Sequence, residues 1–205
     1  MKKILFFICL LLVIRPVSSQ SKAIVELNKS SSISILVESN MMNFTLVQKG
    51  EKLLKAPTTV TFNVRNNKLF VDQNKLDIDV KGFKSDNLMA QSEFYKLMMV
   101  DKYPKMKIEL LRFDSGLQNS NDELYGTAWL NITITNVTKK YEFPVRIDQD
   151  NGFMHVAGKR KVNIKDFGLS APKSLLLGML KINDQIQIDL NFLLRLRTKQ
   201  EEVAN

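Results

Sequence analysis

The chain has 205 residues, a formal net charge of +9 at pH 7, 44% hydrophobic residues and a single cysteine. This length suits one domain, and one cysteine excludes both an internal disulfide and a zinc site built on several thiolates. The basic balance favours loose contact with anionic surfaces, but we do not expect nucleic-acid binding. The only dense basic cluster, at residues 159–161, has no aromatic residues interleaved with it.

The N-terminal residues have the order of a secretory signal peptide. A pair of lysines precedes an apolar run at residues 4–14, and two adjacent serines follow this run. An apolar run of this length is too short to span a bilayer. We therefore predict that residues 1–20 are a signal peptide that is removed, and that residues 21–205 form one exported domain in the periplasm or outside the cell.

Removal of this segment changes the composition of the mature chain. It takes away three basic residues and no acidic ones, so the formal net charge falls from +9 to +6. Cys9, the only cysteine, lies within the apolar run and is also removed. The mature domain then depends on its hydrophobic core without any disulfide, and we expect no transmembrane anchor in it.

Most of the remaining chain alternates apolar and polar residues with a period of two, which is typical of strands with one buried face. The alternation is longest near the C-terminus, where residues 186–196 keep one phase that only Leu193 breaks. Residues that tolerate positive φ, such as Asn66, Asn136 and Gly152, separate the strands. The other inward-facing sets are Ile33/Ile35/Val37, Met42/Phe44/Leu46, Val60/Phe62/Val64, Leu76/Ile78/Val80, Met106/Ile108/Leu110, Ala128/Leu130/Ile132/Ile134 and Tyr141/Phe143/Val145/Ile147.

This pattern predicts an all-β fold with one short helix. No strand–helix–strand alternation, repeat or interdomain linker interrupts the strands, so we expect a single antiparallel sheet. A two-sheet sandwich would also fit the alternation. A closed barrel is favoured, because closure removes exposed strand edges and long strands suit a tall barrel wall.

The stretch at residues 85–104 is the one segment that indicates a helix. Ser85 is a plausible N-cap, and Pro104 marks a point that a helix cannot pass. Its wide apolar arc is rich in methionine, and such an arc serves either as core filling or as a lid over whatever the strands enclose. A membrane-surface helix is the weakest interpretation, because the polar face carries only one lysine, Lys96.

Residues for catalysis or metal binding are sparse. His155 is the only histidine, and no second histidine or cysteine of the mature chain can join it. Neither a metal site nor a serine–histidine–aspartate set can be assembled with support from the sequence. We therefore predict no catalytic residues, no metal ligands and no enzymatic activity.

Several stretches, in the order in which they occur, resemble the YceI-like family of lipocalin-like, polyisoprenoid-binding barrel proteins. Residues 37–46 are similar to an early strand–turn–strand segment, although Met42-Asn43-Phe44 stands where many members have His-Asp-Trp. Residues 87–106 resemble the family's helix and its proline-ended exit. Residues 132–139 resemble a strand–turn–strand signature, with Asn136 where glycine is usual.

The resemblance implies an extended, eight-stranded antiparallel barrel with a short helix near one end. It also implies that the apolar lumen holds an isoprenoid-like amphiphile, either a polyisoprenoid or a quinone-type lipid, as the only cofactor-like ligand. The alternative is a non-catalytic, stress-associated or structural barrel with a closed core and no ligand. Inward-facing residues near the helix are the expected lipid contacts: Phe44, Phe62, Phe94, Leu97, Met98, Ile108, Leu130 and Phe143.

Overall fold

The computed structural model describes residues 21–53, 56–66, 68–72, 74–118, 123–150, 152–171 and 181–199. The predicted signal peptide lies outside the described residues. Within them is one α-helix, α1, at Leu88–Leu97, and three 3₁₀ helices lie at Gly50–Lys52, Val80–Gly82 and Ile164–Phe167. The strands are β1 (Ser21–Leu27), β2 (Ser32–Ser39), β3 (Phe44–Lys49), β4 (Thr58–Arg65), β5 (Lys68–Asp72), β6 (Leu76–Asp79), β7 (Lys105–Gln118), β8 (Leu124–Ile134), β9 (Val137–Asp150), β10 (Phe153–Asn163) and β11 (Ile182–Lys199).

All the described strands belong to one antiparallel sheet. β1, β4, β5, β7, β8, β9, β10 and β11 form a ring of eight strands that the pairing of β1 with β11 closes. The prediction of an all-β fold with one short helix and a single eight-stranded antiparallel barrel is confirmed. The wall is irregular, however, because β2, β3 and β6 lie outside this ring.

Each of these three strands lies in line with one strand of the ring and pairs with the same neighbouring strand or with that strand's continuation. β11 pairs with β1 through its last residues and with β2 through its first, so β1 and β2 follow one line along it. β7 pairs with β5 and β6 in the same way. β4 pairs with β1, and β3 pairs with β2. The eleven strands therefore form eight lines around the barrel, which we call courses. Three courses consist of two strands with an interruption between them: β1 with β2, β4 with β3, and β5 with β6.

Side chains replace the missing backbone bonds at two interruptions. Between β5 and β6, the amide of Asn74 donates to the carbonyl of Leu110 at 2.8 Å and accepts from its N–H at 2.6 Å. Between β1 and β2, the hydroxyl of Ser31 accepts from the N–H of Leu193 at 3.0 Å. At both interruptions, these side chains therefore satisfy backbone groups of the neighbouring strand that would otherwise lack a partner.

The wall opens between β3 and β6. β4 and β5 pair over five residues. Between β3 and the neighbouring course, the backbone hydrogen bonds of the described residues join only Val47 and Lys84, at 2.7 and 2.9 Å. The chain leaves β6 at this point, forms the 3₁₀ helix Val80–Gly82 and enters α1. We call this end of the sheet the helix end, and the opposite one the far end.

The helix is shorter than the sequence predicted, and it begins at a different cap. Asn87, rather than Ser85, is the N-cap, and its side chain accepts from the N–H of Ala90 at 2.9 Å. The helix ends before Pro104, because Met99 adopts a left-handed φ of 47°. No helix among the described residues is both long and apolar enough to cross a membrane.

The alternation predicted the buried face of the long strands correctly and failed near three strand ends. Ile132, Phe143 and Ile188 are buried as expected. Met42 is 46% exposed, because it lies in the turn before β3 begins. Leu196 is 49% exposed, near the end of β11. Val80 is fully buried as expected, although it starts a 3₁₀ helix instead of extending β6. Val64 is 64% exposed, one residue before β4 ends at the far end.

The turn between β8 and β9 confirms the predicted role of asparagine. Thr135 and Asn136 both have positive φ, at 48° and 66°, as a two-residue turn with the twist of the flanking strands requires. Asn66 and Gly152 also adopt positive φ in their hairpins. Substitution at these positions therefore acts through the backbone and not through side-chain packing.

We expect Asn136→Gly to leave the free energy of unfolding nearly unchanged, because glycine adopts positive φ without steric cost. Asn136→Val should destabilise the protein by about 1–2 kcal/mol, since a branched Cβ clashes in the left-handed region. Chemical denaturation of both variants measures the difference. Equal stability of the two variants would contradict the assigned turn geometry.

Candidate functional site

A small apolar cavity lies at the helix end, between α1 and the interior face of the sheet. Its volume is about 60 Å³, roughly the share of two water molecules in the liquid. Only Glu93 and Asn183 contribute charged or amide side chains to its wall. The full lining is Ile35, Val37, Phe44, Leu46, Met89, Ala90, Glu93, Phe94, Leu97, Met98, Met106, Ile134, Ile164, Leu169, Ala171, Ile182, Asn183, Ile186 and Ile188.

α1 is attached to the wall through the residues that precede it. The hydroxyl of Tyr95 donates to the carbonyl of Phe83 at 2.7 Å. The ring of Phe94 packs edge-on against the fully buried ring of Phe83, with 5.5 Å between centroids. The carboxylate of Glu93 is paired with Lys96 at 2.7 Å, so its charge is balanced from the exposed side of the helix. These contacts orient Phe94 and Met98 toward the interior.

A second gap in the backbone pairing lies between β9 and β10, whose pairing stops at Val145 and Gly158. Beyond this pair, the 3₁₀ helix Ile164–Phe167 packs against the wall. The ring of Phe167 lies 6.1 Å from that of Tyr141, whose hydroxyl donates to Asp166 at 2.7 Å. Burial, together with this hydrogen bond to a carboxylate, raises the pKa of Tyr141 above its usual range. The neutral phenol attaches this 3₁₀ helix, whose first residue Ile164 lines the cavity, to β9.

Exposed methionine and leucine side chains surround the outer side of the cavity. Phe44 packs against Ala90 and Ile182, which places the β2–β3 turn, the start of α1 and the start of β11 side by side. In this turn, Met41 and Met42 are exposed; on the first turn of α1, Leu88 is 75% and Met89 is 49% exposed. The cavity thus reaches the surface along an apolar rim.

One buried polar side chain interrupts the apolar interior next to the cavity. Gln48 is fully buried, on the same face of β3 as Phe44 and Leu46. Neither its Oε1 nor its Nε2 has a hydrogen-bond partner among the described residues. The other two buried polar side chains, Ser31 and Thr135, are both hydrogen-bonded. An unsatisfied buried group costs about 1–3 kcal/mol, so Gln48 lowers the stability of this state.

The structure brings together half of the predicted contact residues. Phe44, Phe94, Leu97 and Met98 all line the cavity. The other four do not line it: Ile108, Leu130 and Phe143 are buried deeper in the core, and Phe62 is half-buried in the ring at the far end. The contact of any of these residues with a lipid stays a prediction.

Sequence reasoning missed much of the wall. Alternation predicts that Leu46 and Ile188 face the interior, but it does not predict their position along the barrel axis. Helical periodicity over residues 85–104 puts Met89 on the same side as the polar Ser92 and Lys96, although it lines the cavity. The loop residues Leu169 and Ala171 carry no periodic signal at all. The register between courses, which sequence periodicity does not contain, decides these positions.

The single histidine of the chain, His155, lies on the outer face of β10. His155 lies 3.3 Å from the carboxylate of Asp148 through Nδ1 and 2.6 Å from the amide oxygen of Asn191 through Nε2. Within the described part of the chain, no cluster of three or more histidine, cysteine, aspartate or glutamate residues could hold a metal ion. The predicted absence of catalytic residues stays a prediction.

The fold and the cavity define the class of protein: an antiparallel barrel with a split wall, whose interior is covered at one end by a helix. A model of the YceI-like domain matches residues 28–194. The chain belongs to the YceI-like family, and the resemblance inferred from its sequence is confirmed.

Two solved structures are similar to this chain. A polyisoprenoid-binding domain from Saccharophagus degradans, implicated in plant cell wall breakdown, has a TM-score of 0.58 at 10% identity, covering 85% of this chain and 98% of that one. Burkholderia cenocepacia BcnA has a TM-score of 0.51 at 14% identity, covering 82% of this chain and 99% of that one. These identities support the fold alone. No curated protein matches the chain.

We expect Tyr95→Phe to loosen α1 without unfolding the barrel. The variant loses the hydrogen bond to Phe83, which should lower the free energy of unfolding by about 0.5–1.5 kcal/mol. Compared with the wild type, amide hydrogen exchange should become faster in α1 and stay unchanged in β8 and β9. Tyr103→Phe is a suitable control, because Tyr103 is another tyrosine close to the helix but lies after it. Unchanged exchange in α1 would show that this bond does not hold the helix.

Proposed function

We propose that this chain is an exported lipid-binding protein that holds an isoprenoid-like amphiphile, such as a polyisoprenoid or a quinone-type lipid, in the interior beneath α1. The almost wholly apolar wall of the cavity, in a chain of the YceI-like family, carries this proposal. The description of a structural neighbour as polyisoprenoid-binding supports it. Binding requires no chemistry, since burial of apolar surface contributes about 25 cal/mol per Å².

Lipid binding requires the cavity to expand. Its volume of about 60 Å³ is far below the range of about 300–1,000 Å³ that is common for ligand pockets. α1 is the element best able to move outward, because its exposed first turn contributes little to the core. Met89, Leu97 and Met98 line the cavity, and the unbranched methionine side chains adapt readily to a new shape. We infer that the lipid displaces α1 and occupies the space beneath it.

The small volume also favours a second candidate function. Phe83, Ile132 and Phe143 are fully buried and fill the interior behind the cavity. A barrel packed in this way could serve as a stress-associated or structural protein with no ligand. The two candidates differ in one measurable property, which is the presence of a bound lipid.

Native mass spectrometry of protein purified without detergent tests the proposal. We expect a mass excess that organic solvent removes and that fragmentation identifies as an isoprenoid lipid. A protein that shows no mass excess, and that takes up no prenyl lipid added to it, would be the closed barrel of the second candidate.

We predict that Ala90→Trp blocks lipid binding. Ala90 is partly buried and lines the cavity beside Phe44, so an indole ring would occupy the space beneath α1. The bound fraction should fall at least tenfold, which is about 1.4 kcal/mol in free energy. Ala157→Trp is the matched control, because Ala157 lies opposite Arg146 and Asn191 on the outer face of β10.

Both variants should keep the thermal stability and circular dichroism of a folded barrel. Lipid binding by Ala90→Trp at the level of Ala157→Trp would place the lipid elsewhere. The comparison removes the general effect of adding a large aromatic side chain.

We also propose that the protein works in the periplasm or outside the cell, after removal of residues 1–20. The charged, apolar and small-residue order of this segment supports export. The N-terminal sequence of protein recovered from these compartments should begin near Ser19–Ser21. Recovery with Met1 still in place would contradict the proposed removal.

A further inference from the structure

We propose that Gln48 is the hydrogen-bonding point of the interior, and that the bound lipid is a neutral chain with a terminal hydroxyl group placed at this amide. The inference rests on the proposed function and specifies its ligand. The polar end of the lipid would then lie deepest, and its tail would extend toward the rim at α1.

The position of Gln48 suits a ligand that enters from the cavity. Leu46 lines the cavity, and Gln48 is the next residue on the same face of β3. Residues two apart on a strand are separated by about 6.5–7 Å, so the amide lies one layer deeper than the cavity. Its strand partner is Ile33, which is also buried. A chain that extends past Leu46 therefore reaches this amide.

Gly82 provides the room that the amide occupies. A Cβ atom at this position would lie 2.7 Å from Cδ of Gln48 and 2.8 Å from both its Oε1 and its Nε2. Any larger residue at position 82 would displace the amide. The backbone of the 3₁₀ helix Val80–Gly82 thus makes space for a polar group that has no partner among the described residues.

The chemistry of the amide selects the polar end of the ligand. Gln48 offers two N–H donors and one carbonyl acceptor, and all are unused by the described residues. A hydroxyl group can donate to Oε1 or accept from Nε2, so it satisfies either side of the amide. A phosphate or carboxylate would need a buried positive charge beside it. Among the described residues, no basic residue lines the cavity that leads to Gln48, so an anionic end group is disfavoured here.

The experiment compares probes that differ only at one end. Geranylgeraniol, its methyl ether, its phosphate and the hydrocarbon without oxygen each compete for the wild-type protein against a bound fluorescent polyene. We expect the alcohol to bind about tenfold more tightly than the hydrocarbon, a difference of about 1.4 kcal/mol. The ether should fall between them, since it accepts a hydrogen bond but cannot donate one.

The variant Gln48→Met keeps the length of the side chain and removes its polar atoms. It should bind alcohol and hydrocarbon with equal affinity, without any loss for the hydrocarbon, and should unfold at a higher temperature than the wild type. Ile33→Leu is the control, because Ile33 is the buried strand partner of Gln48 but does not line the cavity, and the change leaves the amide in place. This control should keep the preference for the alcohol.

Several outcomes would overturn the inference while the proposed function stands. These are equal binding of alcohol and hydrocarbon by the wild type, tightest binding of the phosphate, or a preference for the alcohol that survives in Gln48→Met. A higher unfolding temperature of Gln48→Met with unchanged affinities would mean that the amide holds only a buried water. If the variant does not fold, the wild-type series decides. Failure of the wild type to bind any probe would instead refute lipid binding itself.

Discussion

The missing ladder between β3 and β6 is the constraint on which the rest of this structure depends. The eight strands of the ring exchange backbone hydrogen bonds and close the sheet, although β9 and β10 separate beyond Val145 and Gly158. Between β3 and the course after β6, only Val47 and Lys84 exchange backbone hydrogen bonds among the described residues. A sheet that opens in this way would expose apolar side chains and unpaired backbone groups to water. The chain avoids this cost by sending its only described α-helix across the same end.

The position of α1 has two consequences for function. A helix held by the hydroxyl of Tyr95, the ring contact of Phe94 and a single cap is easier to displace than a strand of the ring. Displacement would enlarge the one apolar cavity that lies beneath it. The opening in the wall therefore weakens the barrel at the place where an apolar ligand would gain access, and leaves the ring of eight strands continuous.

Gln48 shows a similar relation between stability and binding. A leucine or methionine on this face of β3 would continue the apolar wall and remove an unsatisfied amide from the core. Buried polar groups without partners are rare in proteins, and those that occur commonly have a functional role or hold an ordered water. In a barrel whose interior is almost wholly apolar, a single buried amide would be enough to select which end of an amphiphile is buried.

The sequence by itself determined the fold class, the buried face of most strands, the asparagine turns and the family, because period-two alternation and turn chemistry are local properties. Four of the eight expected contacts, among them Phe94 and Met98, also line the cavity. Only the tertiary structure decided the height of each residue along the wall, the opening between β3 and β6, and the isolation of Gln48. These features depend on the register between distant strands. A shift of two residues in register keeps every inward-facing residue inward, so alternation alone does not determine which of them meet beneath α1.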